Sequence, residues 1–284
     1  MAPEFLSIGH VTHDLSGREV RLGGAALYAS ITARRLGKEA ALLTSFGPDF
    51  GGRAILEGIR TKVVGAPCTS TFRNVYRGGE RFQSVHAVAS TLDLRGLPSG
   101  WKKADLVYLC PVLHEIPMAA GERFPASRIG VAPQGWLRAW DGTGRIRFRR
   151  WERFERLLER ATLVIVSEKD VEGDPALVDA FRSLAPICIV TRAEKGAFIH
   201  AAGQTLHVGA YPAAERDPTG AGDCFGAAFL IRYATTGNIE EAGRFAACVG
   251  AFVVEGEGVA GIPDHEAVIA RMRSHPVAGS RPPR

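Results

Sequence analysis

Apolar positions in this chain follow two alternating rhythms. Short runs of consecutive apolar residues at 5–9, 42–46, 106–110, 129–132, 163–166 and 187–191 have the length and β-branched content of buried strands. Between them, apolar residues recur at three- and four-residue steps. Ala26, Ala29, Ala33 and Leu36 give a helix with a small-residue face that stops at Gly37, and helical stretches follow at 151–160 and 175–184. The last part of the chain reads as helices: Ala221, Phe225, Ala228 and Phe229 define one apolar face, and Ala242, Phe245, Ala246, Val249 and Val253 another. Strands alternating with helices predict an α/β sandwich on a mostly parallel sheet.

Two segments break this rhythm. Residues 11–22 form a brief excursion, and residues 69–88 alternate around Gly78-Gly79, a hairpin turn signal. Together they predict a small β lid beside the main sheet. Residues 1–275 read as a single domain, and the tail 276–284 as frayed.

With 284 residues and 46% hydrophobic content, the chain is long enough to bury a large core. The start, Met1-Ala2-Pro3-Glu4, lacks the basic residues of a signal peptide, and no apolar run approaches the roughly 20 residues of a membrane helix. A soluble, cytoplasmic protein without a membrane partner is therefore expected. The five cysteines show no CxxC spacing, so neither a disulfide framework nor a zinc site is indicated; most read as buried thiols, and Cys224 as a packing residue. A net charge of +5 raises the question of nucleic acid, because Arg145, Arg147, Arg149, Arg150, Arg153, Arg156 and Arg160 cluster. Glu152, Glu155 and Glu159 interleave with them at helical spacings, which reads as a solvated helix face rather than a phosphate-tracking stripe.

The densest chemistry lies in Arg216-Asp217-Pro218-Thr219-Gly220-Ala221-Gly222-Asp223-Cys224-Phe225. Three small residues where a loop becomes a helix let the backbone turn tightly and aim N–H groups at an anion, at the positive end of the helix dipole. Asp223, in the first helical turn, stands where a carboxylate orients or deprotonates an attacking hydroxyl, so the motif points to phosphoryl transfer to an alcohol. An ordinary helix start with a first-turn acid is the bland alternative.

Read with Gly23-Gly24, residues 217–223 resemble the signature of the ribokinase-like (PfkB) carbohydrate kinases. The resemblance implies a three-layer α/β/α sandwich whose β lid closes over the acceptor, and a kinase dependent on ATP and Mg²⁺. It makes Asp223 the base and the amides of Gly220, Ala221 and Gly222 the anion hole. Asp14, Gly23 and Gly24 match the family's early acid and paired glycines, which bind the acceptor; Asp14 reads equally as a turn residue before Ser16-Gly17. His10 and His13 lack a third metal ligand and read as substrate contacts or plain surface. Thr191, Lys195 and Gly196 resemble a family segment that contacts ATP. Ser167 and Asp170 stand in place of an Asn-x-x-Glu segment that organises Mg²⁺ and its waters. Asp217 and Thr219 stand where the family binds K⁺. Taken alone, Lys195 is a solvated lysine in an ordinary turn and Asp217 a turn residue.

Tyr28 departs from the family pattern, in which many members carry Asn at this point. Plant-type myo-inositol kinases carry an aromatic residue there, and the segment 132–138, with Gln134 and Arg138, resembles theirs, although Ala132 replaces an acid. This favours inositol or a related cyclitol over another sugar or a nucleoside. Packing of Tyr28 against the core is the competing explanation. No Arg/Lys cluster accompanies Asp14 and Gly23, so phosphorylated acceptors are disfavoured. The GxxxxGK[ST] loop, an early GxGxxG and protein-kinase motifs are absent. A catalytically silent sugar- or nucleotide-binding regulator is the rival of a different class, and the intact Asp223 loop argues against it. Monomer and homodimer both remain open.

Overall fold

The computed structural model describes residues 1–17, 19–77, 80–171 and 174–275; Gly78-Gly79 and the tail 276–284 lie outside them. The chain begins with β1 (Phe5–Ile8), β2 (Thr12–Ser16), β3 (Glu19–Gly23), α1 (Ala25–Arg35), β4 (Ala40–Phe46), β5 (Arg60–Gly65), β6 (Ser70–Arg77) and β7 (Glu80–Ala87). It continues with β8 (Leu106–Leu109), β9 (Arg128–Val131), β10 (Arg138–Trp140), β11 (Ile146–Phe148), α2 (Glu155–Leu158) and β12 (Leu163–Ser167). The remaining elements are α3 (Pro175–Leu184), β13 (Ile187–Thr191), β14 (Ala197–Ala201), β15 (Gln204–Val208), α4 (Ala221–Thr236), α5 (Ile239–Glu255) and α6 (His265–Ser274).

Among the described residues nine strands form one sheet in the order β15-β14-β13-β12-β9-β8-β1-β4-β5. From β5 to β13 neighbouring strands are parallel, and β14 and β15 return antiparallel. Parallel strands bury both faces, which explains why they read as unbroken apolar runs. In β1, Phe5 joins a core with α1, α4 and α5, while Leu6 and Ile8 join a second core with Trp101, Trp151, Phe154 and Phe181. Helical layers on both faces complete the expected three-layer α/β/α sandwich.

The helical layer above the site packs close to the sheet because its contact residues are small. Ala25, Ala26, Ala29 and Ala33 are buried on α1. At Gly226 of α4 a Cβ would collide with the Tyr108 hydroxyl of β8, so glycine sets how deep the start of α4 lies.

A separate sheet, β3-β2-β6-β7, forms the lid. Its register sets Asp14 opposite both Arg21 and Phe72, which puts the three side chains on one face. The β10–β11 hairpin adjoins the lid's other edge: Ser84 bridges to Arg145, and the Val85 N–H donates to the Gly144 carbonyl at 2.8 Å.

Two expectations change. The helix predicted over 151–160 shrinks to the single turn Glu155–Leu158, because Arg153 adopts φ 58° and the segment instead buries Trp151, Phe154, Leu157 and Leu158. Arginines of the cluster at 145–160 pair with acids other than the interleaved glutamates: Arg147 with Asp141 at 2.9 Å, Arg156 with Glu122 at 2.8 Å, and Arg150 with Asp174. His10, expected at the surface or against substrate, is fully buried. Its Nδ1 lies 2.8 Å from Ser70 Oγ and its Nε2 2.9 Å from the Ser90 carbonyl. Because the Ser90 carbonyl can only accept, Nε2 carries a ring proton, and the Ser70 hydroxyl, which accepts the Ala89 N–H, sits at Nδ1. The imidazole thus stitches the end of β1 to the lid. Cys110, Cys188, Cys224 and Cys248 are buried thiols, and Cys68 is partly exposed. Among the described residues no helix is long and apolar enough to cross a membrane.

Candidate active site

The parallel strands end on one edge of the sheet, and the segments leaving β1, β8, β9, β12 and β13 share that edge. In open α/β sheets ligands collect at such carboxyl ends. Gly220 caps α4 in the left-handed region at φ 80°, a conformation that glycine adopts without a Cβ penalty. The Ala221 N–H donates to the Pro218 carbonyl at 3.3 Å, and the Cys224 N–H to the Gly220 carbonyl at 2.9 Å. The Gly222 and Asp223 amides between them belong to the first turn, whose N–H groups an α-helix leaves without intrahelical partners. Gly222 is exposed, so this dipole end meets solvent.

Asp223 keeps partial access to solvent above an apolar floor that includes Tyr108, Cys110 and Cys224, all fully buried. Among the described residues the Tyr108 hydroxyl has no hydrogen-bond partner, so it makes no hydrogen bond to the carboxylate. Burial pushes Asp223 up to about 7, the charge of Asp170 adds to the rise, and Arg138 opposes it. A carboxylate near neutrality is a stronger proton acceptor than an ordinary aspartate. Asp170 itself is oriented by the Gln134 amide at 3.3 Å and the Ser167 N–H at 3.4 Å. The Arg138 guanidinium donates to the Val112 carbonyl at 3.2 Å and lies 5.5 Å over the Phe72 ring, tying the hairpin to the lid.

The paired glycines have steric reasons of their own. A Cβ on Gly23 would collide with the Asp14 carboxylate, and one on Gly24, at φ 101°, with the His10 carbonyl. Tyr28, 2% exposed, lays its ring against Gly220, where a Cβ would strike the ring carbons. Burial pushes the Tyr28 hydroxyl well up, with Cys224, Asp217, Asp14 and Asp223 adding to it. Tyr28 is therefore a prop under the anion loop, in keeping with the packing explanation.

On the donor side the expected residues are more dispersed. Thr191 Oγ1 donates to the Val166 carbonyl at 3.4 Å, holding the ends of β12 and β13 together. Gly196, at φ 82°, is required because a Cβ would meet the Val208 carbonyl. Lys195 is exposed; its N–H donates to the Arg192 carbonyl at 3.0 Å, and its carbonyl lies 2.9 Å from His207 Nε2. Ser167 Oγ accepts the Lys169 N–H at 3.2 Å. Asp217 accepts N–H bonds from Thr219 and Gly258 at 3.0 and 3.2 Å.

Three features escaped sequence reasoning. Arg21 Nη1 lies 3.4 Å from Asp217 Oδ2. Arg192 pairs with Glu168 at 3.1 Å and lies 4.8 Å over Phe198. Gln83 donates to Asn74 Oδ1 at 3.0 Å on the lid face that carries Phe72. The available signal for Arg21 was hairpin register, since it mirrors Asp14 across the turn at Gly17. Among the described residues no cluster of three or more His, Cys, Asp or Glu side chains forms a metal site.

The pfkB family carbohydrate kinase pattern matches residues 143–265, which include the Asp223 loop. A nucleoside kinase of Methanothermobacter thermautotrophicus is 24% identical over 265 residues, covering 88% of this chain and 84% of the relative. Among solved structures, a pyrophosphate-dependent kinase in the ribokinase family, complexed with a pyrophosphate analog and myo-inositol, superposes with a TM-score of 0.79 at 22% identity, over 94% of this chain and 99% of that one. Arabidopsis thaliana ribokinase complexed with ribose and ATP gives a TM-score of 0.72 at 18% identity, over 95% and 98%. These likenesses show the ribokinase fold.

Proposed function

We propose that this chain is a ribokinase-like, ATP-dependent kinase of the PfkB type whose acceptor is myo-inositol or a related cyclitol. The acceptor hydroxyl lies between Asp14 on the lid and Asp223 below it. Asp223 takes the hydroxyl proton as the oxygen attacks the γ-phosphorus; the new O–P bond forms while the bond to the β–γ bridging oxygen breaks and ADP leaves. The amides opening α4 receive the charge of the transferring group. The lid excludes water, which would otherwise compete for the phosphoryl group.

Magnesium fits the donor set beside the base. Asp170 and Ser167 offer carboxylate and hydroxyl oxygens, and the upward push of Asp170 on Asp223 marks two acids that a cation would relieve. When bound there with its waters, Mg²⁺ shields the phosphate charge.

The observation that carries the cyclitol is the position of Arg138, close enough to Asp223 to lower it and stacked on Phe72 of the lid, with Gln134 alongside at Asp170. Guanidinium and amide donors thus face a compact ring rich in hydroxyls. The likeness to a kinase solved with myo-inositol supports the same choice. A nucleoside acceptor is the second reading, favoured by the Methanothermobacter relative. Initial rates with inositol isomers, ribose, adenosine and cytidine, each with ATP and with inorganic pyrophosphate, decide between them. An inositol isomer should lead in kcat/KM by roughly tenfold or more, the worth of one matched hydrogen bond. A nucleoside leading by that margin overturns the acceptor while the kinase stands, and faster turnover with pyrophosphate overturns ATP as donor.

A further inference from the structure

Arg21 stands on β3 of the lid, directly opposite Asp14 and on the same face. Its Nη1 lies 3.4 Å from Asp217 Oδ2, while Nη2 and Nε hold Glu19 at 3.1 and 3.3 Å. Asp217 is 9% exposed and opens the loop that ends at Gly220. Its Oδ1 accepts the Thr219 N–H, and its Oδ2 accepts the Gly258 N–H together with the guanidinium. Burial raises the Asp217 carboxyl, but hydrogen bonds from Thr219 and Gly258 and the charge of Arg21 outweigh it and hold the group below the usual carboxylate range.

The resemblance implies potassium at Asp217 and Thr219, and the donor set does not fit that ion. Potassium needs oxygen lone pairs directed at it. Asp217 Oδ2 instead accepts two N–H donors, from Gly258 and Arg21, so while Arg21 is in place both its lone pairs are taken and the positive charge comes from the guanidinium. We infer that Arg21 is a positioning residue that acts as a built-in cation, latching the closed lid to the anion loop. The residue that would meet the acceptor, Asp14, and the residue that grips the loop are cross-strand neighbours. Seating the acceptor and ordering residues 217–220 are thereby one event, which leaves the anion hole loose while the lid is open.

The latch rests on the kinase reading for its purpose but is testable without turnover. Hydrogen exchange of residues 217–222 is followed in the wild type, Arg21→Ala and Arg21→Lys, at constant ionic strength in tetramethylammonium, potassium, or guanidinium well below denaturing concentration. Exchange should quicken about three- to tenfold in Arg21→Ala, as expected for loss of a half-exposed ion pair, with Arg21→Lys in between. Guanidinium or potassium should restore protection in Arg21→Ala and leave the wild type unchanged. Initial rates should follow the same order, with kcat falling more than acceptor KM rises. Equal exchange in wild type and Arg21→Ala overturns the latch, as does a wild type whose loop or rate responds to potassium as strongly as the variant. If exchange responds as expected but no acceptor is turned over, the latch stands and the proposed acceptor falls.

Discussion

The proposed anion end of the site is one uninterrupted stretch, residues 217–224, whereas the proposed acceptor end draws on lid strands, the glycine pair before α1, the segment after β9 and the first residue of the β10–β11 hairpin. The first is fixed by backbone conformation at a loop-to-helix junction, with Gly220 at φ 80° and Tyr28 as its prop. The second, on the proposed reading, relies on the lid, which is held by Arg138 on Phe72 at one side and Arg21 on Asp217 at the other. A contiguous element is preorganised by its own hydrogen bonds; a scattered one depends on tertiary closure, which a ligand can drive. Damage at the anion end should therefore appear in kcat, and damage at the acceptor end in discrimination between acceptors.

The largest effect should come from Asp223→Asn, which keeps the shape and removes the base. Turnover is expected to fall on the order of 10²- to 10⁴-fold, with donor affinity retained in a direct binding measurement. The native carboxyl is raised above its unfolded value, so it disfavours the folded state increasingly as pH climbs from the ordinary aspartate range to about 7. The Tm of the Asn variant at pH 8 should equal or exceed that of the wild type. Near-normal turnover would take Asp223 out of the mechanism and dissolve the contrast between the two ends.

Gly220→Ala comes next. The left-handed φ costs about 1–2 kcal/mol for an L-residue, and the methyl meets the Tyr28 ring. A Tm loss of a few degrees with a larger loss of kcat is expected, and Tyr28→Leu in the same chain should recover part of both. If the double variant is no better than the single, Tyr28 is not the prop.

At the acceptor end, Arg138→Gln should lower kcat/KM for the preferred acceptor by about 1–3 kcal/mol, up to roughly a hundredfold, while changing a poor acceptor little. Equal losses for every acceptor would make Arg138 part of the anion end instead. The pH profile sharpens the same division: kcat/KM should rise with pH and level off above about 7 as Asp223 ionises. Asp170→Asn removes a like charge and should move the inflection to lower pH, whereas Arg138→Gln removes an opposite charge and should move it higher. A profile unchanged in both variants would disconnect these residues from the base. The smallest effect belongs to Arg182→Ala, which breaks an exposed pair with Asp179; stability should change by no more than about 0.5 kcal/mol by denaturant melt.

Legibility in the sequence followed the same divide. The strand runs, the helix at 175–184 and the loop-to-helix motif at 220–223 were readable because each is a local pattern, and local patterns survive without knowledge of the partners. The helix expected over 151–160 failed because charge spacing there suggested i,i+4 pairs, while Trp151, Phe154 and Leu157 were claimed by the second core. His10 was misjudged for a related reason. Nothing near it in sequence reveals Ser70, 60 residues on, or Ser90, 80 residues on.

By itself the sequence determined the alternation of strand and helix, the glycines that permit the left-handed cap of α4, and an acid one helical turn inside it, since spacing and residue type settle such features. Tertiary structure alone decided that Tyr28 lies under Gly220, that burial and Asp170 raise Asp223, and that Arg21 reaches Asp217 across 196 residues. Burial, electrostatic shifts and lid contacts depend on distances through space, which the order of residues does not contain until the chain has folded.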